Sequence, residues 1–298
     1  MILKTYQKYL IKEFLLFILK VTFVFFILGF IMGALEELRF FSDIDTDYYF
    51  PIFLVFLNLP SLIYQIFPFI ILISVIFLFL SLNEKGELIS FKNNGLENFQ
   101  IVKLLSIVSL LIGIFAIVIF YNFAAMLKFN YLDIKKNYTK DAKYLASITE
   151  NGIWIKDEIN EEINIINAEK IEKNKILSVD ILQFDKNFNL LQIIYANEAD
   201  ITNNNWKINN SIISKYDHME KEISNLEFPT NFNYEKINSF FSNLSSLNMV
   251  ELRKIKKDYE SMNYSTTEIN SHIQKIFSYP IYLMIMTILS ATIMMNIK

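Results

Sequence analysis

The sequence predicts an integral membrane bundle of α-helices with a β-rich domain inserted before the last helix. Three long apolar segments lie within residues 1–127, and a fourth lies within residues 266–298. About 20 apolar residues in a helix are enough to cross the hydrocarbon core of a bilayer. Between the third and fourth segments, short runs rich in isoleucine and aromatic residues are separated by clusters of Asn, Asp and Lys, as in strands joined by turns.

Each apolar segment is long enough for one span. Residues 14–35 contain a single charge, Lys20, whereas residues 52–82, 104–127 and 276–296 contain none. A charged residue inside a bilayer is costly, so segments of this length and composition indicate four spanning helices.

The second segment is longer than one span needs. As a single helix it would be about 46 Å long, which exceeds the hydrocarbon thickness of roughly 30 Å. Pro60 and Pro68 lie within it, and a proline removes a backbone donor and bends or breaks a helix. We predict that residues 52–60 form an interfacial or kinked lead-in and that residues 62–82 form the span proper.

The distribution of charge predicts the orientation of the chain. Three lysines precede the first span, whereas residues 36–50 after it carry five acids and a single base. Because basic residues favour the cytoplasmic side in short loops, we expect a cytoplasmic N-terminus. Alternation then places the connection at residues 84–95 in the cytoplasm and the β-rich domain, residues 128–265, on the other side.

The sequence of the β-rich domain predicts a β-sandwich or an open barrel, because its strand-like runs are short and regularly spaced. The runs are GIWIKD, EINIINAEKI, ILSVDILQFD, LLQIIYANEADI and NWKINNSII. A helical pattern returns within residues 249–262, and another leads from residue 266 into the fourth span.

No pattern in the sequence indicates a catalytic or metal site. The absence of cysteine excludes disulfides, thiolate metal sites and cysteine nucleophiles. His218 and His272 are isolated, and no HExxH, GxSxG or phosphate-binding glycine motif occurs. The carboxylate pair Asp180 and Asp185 is typical of strand ends and turns. We therefore expect a protein that is not an enzyme and that binds no metal or cofactor of its own.

The connection EKGELISFKNNG, residues 84–95, is a charged segment between two uncharged spans. It holds Glu84, Lys85, Glu87 and Lys92. Any helical hairpin needs polar residues where it meets water, so this segment is either a plain solvent-exposed turn or a surface that a partner binds.

Three further stretches give the chain a resemblance to a known family. KYLIKEFLLFIL at residues 8–19, NLPSLIYQIFP at 58–68 and GELISFKNNG at 86–95 resemble the LptF/LptG permeases of the lipopolysaccharide exporter. In the β-rich domain, NGIWIKD at 151–157 and LQFDKNFNLLQIIYANEADITNNNWKI at 182–208 are more similar to the G-type subunit than to the F-type.

The resemblance implies a transport subunit of an ABC exporter in the Gram-negative inner membrane. Such subunits form an F–G heterodimer on a dimer of the ATPase LptB, which binds the ATP. They extract lipopolysaccharide from the membrane and pass it to a periplasmic bridge that includes LptC and LptA. The β-rich domain would be a periplasmic β-jellyroll and the first domain of that bridge to receive the lipid. No nucleic acid is involved.

The resemblance also implies roles for particular residues. The segment at about residues 84–97 would be the coupling helix that contacts the ATPase, through Glu87, Leu88, Phe91 and Gly95. Arg39 matches a position near the phosphates of lipid A. A role as an interfacial anchor, or as a partner of Glu36, is an equally supported interpretation.

One helix face of the first span is a candidate lining for a cavity that holds acyl chains. Helical spacing places five apolar residues on this face, and contact with bulk lipid or with other helices is the alternative. The residues are Phe23, Phe26, Ile27, Phe30 and Ile31.

The chain departs from the family in its number of spans. The family has six, with two after the fourth, and this sequence stops at Lys298. We expect the sequence to be a fragment. Two alternatives to a G-type subunit stay open: the F-type subunit, and a membrane-anchored receptor or scaffold with an exoplasmic ligand-binding domain.

Overall fold

The computed structural model describes residues 4–136, 138, 153–159, 162–172, 174–215, 220–240, 243–261 and 264–296. The helices are α1 (Thr5–Phe40), α2 (Tyr49–Glu84), α3 (Glu87–Asn93), α4 (Asn98–Phe115), α5 (Asn122–Lys136), α6 (Tyr234–Phe240), α7 (Met249–Ser261) and α8 (Thr267–Asn296). The strands are β1 (Ile153–Ile159), β2 (Glu162–Glu172), β3 (Lys175–Phe184), β4 (Leu190–Asp200), β5 (Asn205–Lys215) and β6 (Glu220–Pro229).

The chain divides into two compact units. The helical unit comprises Met1–Tyr131, Ser245–Met249 and Thr267–Lys298, and the sheet unit comprises Leu132–Leu244 and Val250–Thr266. Among the described residues, four helices are long and apolar enough to cross a membrane, as the sequence predicts. They are Thr5–Phe40, Tyr49–Glu84, Asn98–Lys136 and Thr267–Met295.

The second span forms one helix. Helix α2 runs without interruption over 36 residues and includes both Pro60 and Pro68, so the chain is not broken between residues 52–60 and residues 62–82. Each proline removes only one backbone donor, and neighbouring helices compensate for such losses inside a bundle. Leu59 and Ile63 beside Pro60 are buried in an apolar cluster that also contains Val21 of α1.

Small residues allow the membrane helices to pack closely against each other. Such residues are common in membrane bundles, because lipid provides no hydrophobic driving force for helix association. A Cβ on Gly29 of α1 would lie 2.9 Å from a methyl group of Leu59, and one on Gly113 of α4 would lie 2.5 Å from the Cα of Pro280 in α8. Helices α4 and α8 also share a buried hydrogen bond of 2.6 Å between the hydroxyls of Ser109 and Thr287.

The third span contains a π-helical turn, Ala116–Tyr121, between α4 and α5. Tyr121 at the end of this turn donates a hydrogen bond to the carbonyl oxygen of Leu247 (2.9 Å) and lies 3.2 Å from Nε2 of His272. π-turns of this kind insert an extra residue into a helix and change the direction of the side chains after it. His272, isolated in the sequence, thus has a hydroxyl partner in the fold.

The sheet unit contains one antiparallel sheet with its strands in the order β1 to β6. Alternate residues are buried along β1 and β5, which is the pattern of a sheet with one covered face. The described strands form one continuous hydrogen-bonded sheet, which is compatible with the predicted open barrel, and no second, separate sheet lies among them. Trp206 anchors the core, and its indole N–H donates to the carbonyl oxygen of Phe232 at 2.7 Å.

Asp185 occupies the turn between β3 and β4, as expected from the sequence. One carboxylate oxygen accepts from the backbone N–H groups of Asn187 and Asn189, both at 2.8 Å, and the other accepts from the Asn189 side chain. These hydrogen bonds, chiefly those from Asn189, hold the pKa of Asp185 below its usual value. Asp185 therefore stabilises a turn.

Candidate functional site

The connection between α2 and α4 is built around two glycines. Gly86 and Gly95 have φ values of +67° and +78°, in the left-handed region that L-residues with a Cβ avoid. A Cβ at either position would meet no atom within 4 Å, so the backbone conformation and not the available space requires glycine. Between them lies α3, and we call residues 84–97 the elbow.

Gly95 completes a Schellman motif at the end of α3. The N–H of Leu96 donates to the carbonyl oxygen of Phe91, and that of Gly95 donates to the carbonyl oxygen of Lys92, both at 3.0 Å. This is the 6→1 and 5→2 pattern in which a left-handed residue closes a helix. The predicted Glu87–Gly95 spacing thus corresponds to one short helix with its closing turn.

Helix α3 lies against the helical unit through two side chains. Leu88 and Phe91 are partly buried and pack against the apolar cluster that contains Leu10 and Phe14 of α1. On the solvent side, Ile89 is 59% exposed, and Phe99 at the start of α4 is 69% exposed. The elbow therefore combines an anchored face with large apolar side chains that no described residue covers.

The first helix bonds directly to the elbow. The hydroxyl of Tyr9 lies 2.9 Å and 2.7 Å from the two carboxylate oxygens of Glu87, to which it donates a shared hydrogen bond. Glu87 forms no ion pair with any described residue, although Lys85 and Lys92 are close in sequence.

A cleft of about 880 Å³ opens beside this hydrogen bond. It is lined by the start of α1, by α3 and by the segment that leads into α4. The lining residues are Lys4, Thr5, Tyr6, Tyr9, Glu87, Ser90, Phe91, Asn94, Gly95, Leu96 and Gln100. The cleft contains both charged groups and apolar surface, which suits a protein segment better than a small apolar ligand.

The other predicted site residues lie far from the elbow. Arg39 is in the last turn of α1, and a helix rises about 1.5 Å per residue, so it is about 45 Å along the axis from Tyr9. Arg39 is exposed and forms no ion pair with Glu36 or with another described residue.

The predicted apolar face of α1 is mostly uncovered. Phe30 is partly buried, and its ring lies 5.1 Å from that of Phe56 in α2. The remaining members are exposed: Phe23, Phe26, Ile27 and Ile31. In a membrane these four side chains face lipid, a cavity or another subunit.

Comparison with known proteins gives the family of this chain. The model of the family described as lipopolysaccharide export system permease LptF/LptG matches residues 8–298, nearly the whole chain. The chain belongs to the LptF/LptG family.

The chain is also similar to an uncharacterized protein of Rickettsia prowazekii (strain Madrid E). It is 26% identical to this permease over 219 residues, which cover 71% of this chain and 58% of the relative. The chain thus matches less than two thirds of the length of that relative.

Within the described residues, no group of His, Asp or Glu could hold a metal ion. His218 lies outside the described residues.

Sequence reasoning missed two tyrosines that the fold brings to carboxylates. Tyr9 donates to Glu87, which lies 78 positions later in the chain. Tyr131 donates a 2.6 Å hydrogen bond to Glu37, which lies 94 positions earlier. Tyr9 is inside the first stretch that resembles the family, but periodicity within one helix carries no signal for a partner in another helix.

Proposed function

We propose that the permease is the G-type transmembrane subunit of the ABC exporter that extracts lipopolysaccharide from the inner membrane. The sheet unit would lie in the periplasm as a jellyroll-like domain and pass the lipid to LptC- and LptA-type bridge proteins. The family match over residues 8–298 is the observation that carries the export role, and the similarity of residues 151–157 and 182–208 to the G-type subunit supports the choice of subunit. It favours export over the membrane-anchored receptor considered from the sequence.

The elbow would be the contact with the LptB-type ATPase. Helix α3 is held to the bundle on one side and presents Ile89 on the other. Glu87 adds a carboxylate that has no cationic partner among the described residues. A short helix with an exposed apolar side chain and an acid without an ion pair is suited to a groove that supplies a basic residue.

The part of α1 from Phe23 to Arg39 would face the lipid. The exposed Arg39 guanidinium can bind a phosphate through two parallel hydrogen bonds. The exposed face at Phe23, Phe26, Ile27 and Ile31 would contact acyl chains, with Phe30 behind it. The permease would need no cofactor of its own, because the ATPase binds the ATP.

Replacement of Glu87 tests the proposed ATPase contact. Glu87→Ala, and more strongly Glu87→Lys, should reduce the amount of LptB-type ATPase that co-purifies with the permease and its partner subunit. Glu36→Ala is the matched control, because it removes an exposed carboxylate at the far end of α1. Undiminished co-purification with Glu87→Lys would disprove the elbow assignment.

Co-expression distinguishes the two subunit types. A G-type permease should assemble with an F-type partner and ATPase into a complex that a second copy of itself cannot replace. Assembly with a G-type partner instead would identify the permease as the F-type subunit.

A further inference from the structure

We propose that Tyr9 is a positioning residue that fixes the Glu87 carboxylate for a cationic side chain of the ATPase. The start of α1 would then be a second element of the ATPase contact, beside α3. This inference rests on the proposed function of the elbow, and it adds a residue outside the elbow to that contact.

The geometry of the hydrogen bond supports a positioning role. One hydroxyl lies within hydrogen-bond distance of both carboxylate oxygens, at 2.9 Å and 2.7 Å. A donor placed between the two oxygens restricts the rotation of the carboxylate. Because an ionised carboxylate has about four lone-pair sites, the oxygens can still accept from an incoming guanidinium or ammonium group.

Little else holds Glu87 in place. Helix α3 has seven residues, none of which is fully buried, and its first residue lacks a side-chain cap. Isolated helices of this length are not stable in water. Leu88 and Phe91 fix the position of the helix by apolar packing, which supplies no hydrogen bond to the Glu87 carboxylate. Within the described part of the chain, Tyr9 alone bonds to the Glu87 side chain.

The cleft beside Tyr9 indicates the chemistry of the partner. Glu87 supplies a negative charge, while Phe91 and Leu96 supply apolar surface within the same space of about 880 Å³. This combination fits a protein segment that carries an arginine or lysine next to an apolar side chain. Arginine suits the site best, because its planar group donates to two oxygens at once.

A double-mutant cycle separates positioning from a purely structural contact. The variants are Tyr9→Phe, Glu87→Ala and the pair, each in the full permease with its partner subunit. The measurement is the apparent affinity for the LptB-type ATPase in detergent, with the melting temperature of each variant recorded beside it. Tyr49→Phe is the control, because this tyrosine is 84% exposed at the opposite end of the helical unit.

We expect Tyr9→Phe to weaken ATPase binding about three- to tenfold, which is the usual scale for the net contribution of one partly exposed hydrogen bond. Tyr49→Phe should leave the affinity unchanged. In the Glu87→Ala background, Tyr9→Phe should have no further effect, because the carboxylate that it positions is gone. The melting temperature of Tyr9→Phe should stay close to that of the unmodified protein.

Three results would overturn the inference. Unchanged affinity of Tyr9→Phe would remove the positioning role, and so would an equal loss of affinity with and without Glu87. A lower melting temperature at unchanged affinity would show a purely structural contact. If Glu87→Ala itself binds the ATPase normally, the proposed function of the elbow fails, which is a distinct outcome from a failure of Tyr9 alone.

Discussion

The two ends of α1 are each tied to another helix by a tyrosine–glutamate hydrogen bond, but in opposite surroundings. At its start, α1 supplies the hydroxyl of Tyr9, and the acceptor Glu87 lies in the partly exposed elbow. At its other end, α1 supplies the carboxylate of Glu37, which is 3% exposed and accepts from Tyr131 of α5.

The difference in exposure gives the two contacts different consequences. A buried carboxylate that loses a donor cannot replace it with water, so the free energy of unfolding falls by much of its desolvation cost. A carboxylate near water replaces a lost donor at little cost. The Glu37 contact is therefore suited to holding α1 against α5, and the Glu87 contact is suited to an acid that must also bind a partner.

The largest expected effect is at the buried contact. Tyr131→Phe removes one hydrogen-bond donor to the buried Glu37 side chain and should lower the free energy of unfolding by about 2 kcal/mol, the scale for a buried polar group that loses a hydrogen bond. The measurement is thermal or denaturant unfolding of the permease in detergent, with Tyr49→Phe as the exposed control. Equal stability of Tyr131→Phe and Tyr49→Phe would show that the buried contact with Glu37 does not stabilise the bundle.

An intermediate effect is expected inside the elbow. Gly95→Ala places a Cβ on a residue with a φ of +78°, which costs about 1 kcal/mol. The strain should open the end of α3 locally and speed amide hydrogen exchange of Leu96 and Gly95 about fivefold. Asn93→Ala, at an exposed helical position two residues earlier, is the control. Exchange rates that do not change would mean that the Schellman motif does not limit the opening of α3.

The smallest effect on stability is expected at the partly exposed contact between Tyr9 and Glu87. Tyr9→Phe should lower the free energy of unfolding by about 0.5 kcal/mol or less, because water can donate to Glu87 in place of the hydroxyl. The same unfolding measurement as for Tyr131→Phe gives a direct comparison. A loss as large as that of Tyr131→Phe would make the Glu87 contact structural and would remove the contrast between the two ends.

The extent to which the sequence predicts the fold depends on the range of the interactions involved. The apolar segment at residues 14–35 marks the membrane part of α1, yet the helix extends from Thr5 to Phe40 because polar turns continue it into water. Strand alternation indicates β1 to β5 from side-chain pattern alone. The continuity of α2 through Pro60 and Pro68 could not be predicted, because it depends on how neighbouring helices pack around the prolines.

The sequence by itself determined four membrane helices, a β-rich insertion and a charged elbow, because each follows from hydrophobicity and glycine placement over a few adjacent residues. Only the tertiary structure decided that Glu87 is bonded to Tyr9 and that Glu37 is buried against Tyr131. Those contacts join residues 78 and 94 positions apart, and both glutamates occur in locally similar charged segments. Whether an acid near the end of a membrane helix stabilises the bundle or remains available to a partner is set by the helix that packs beside it.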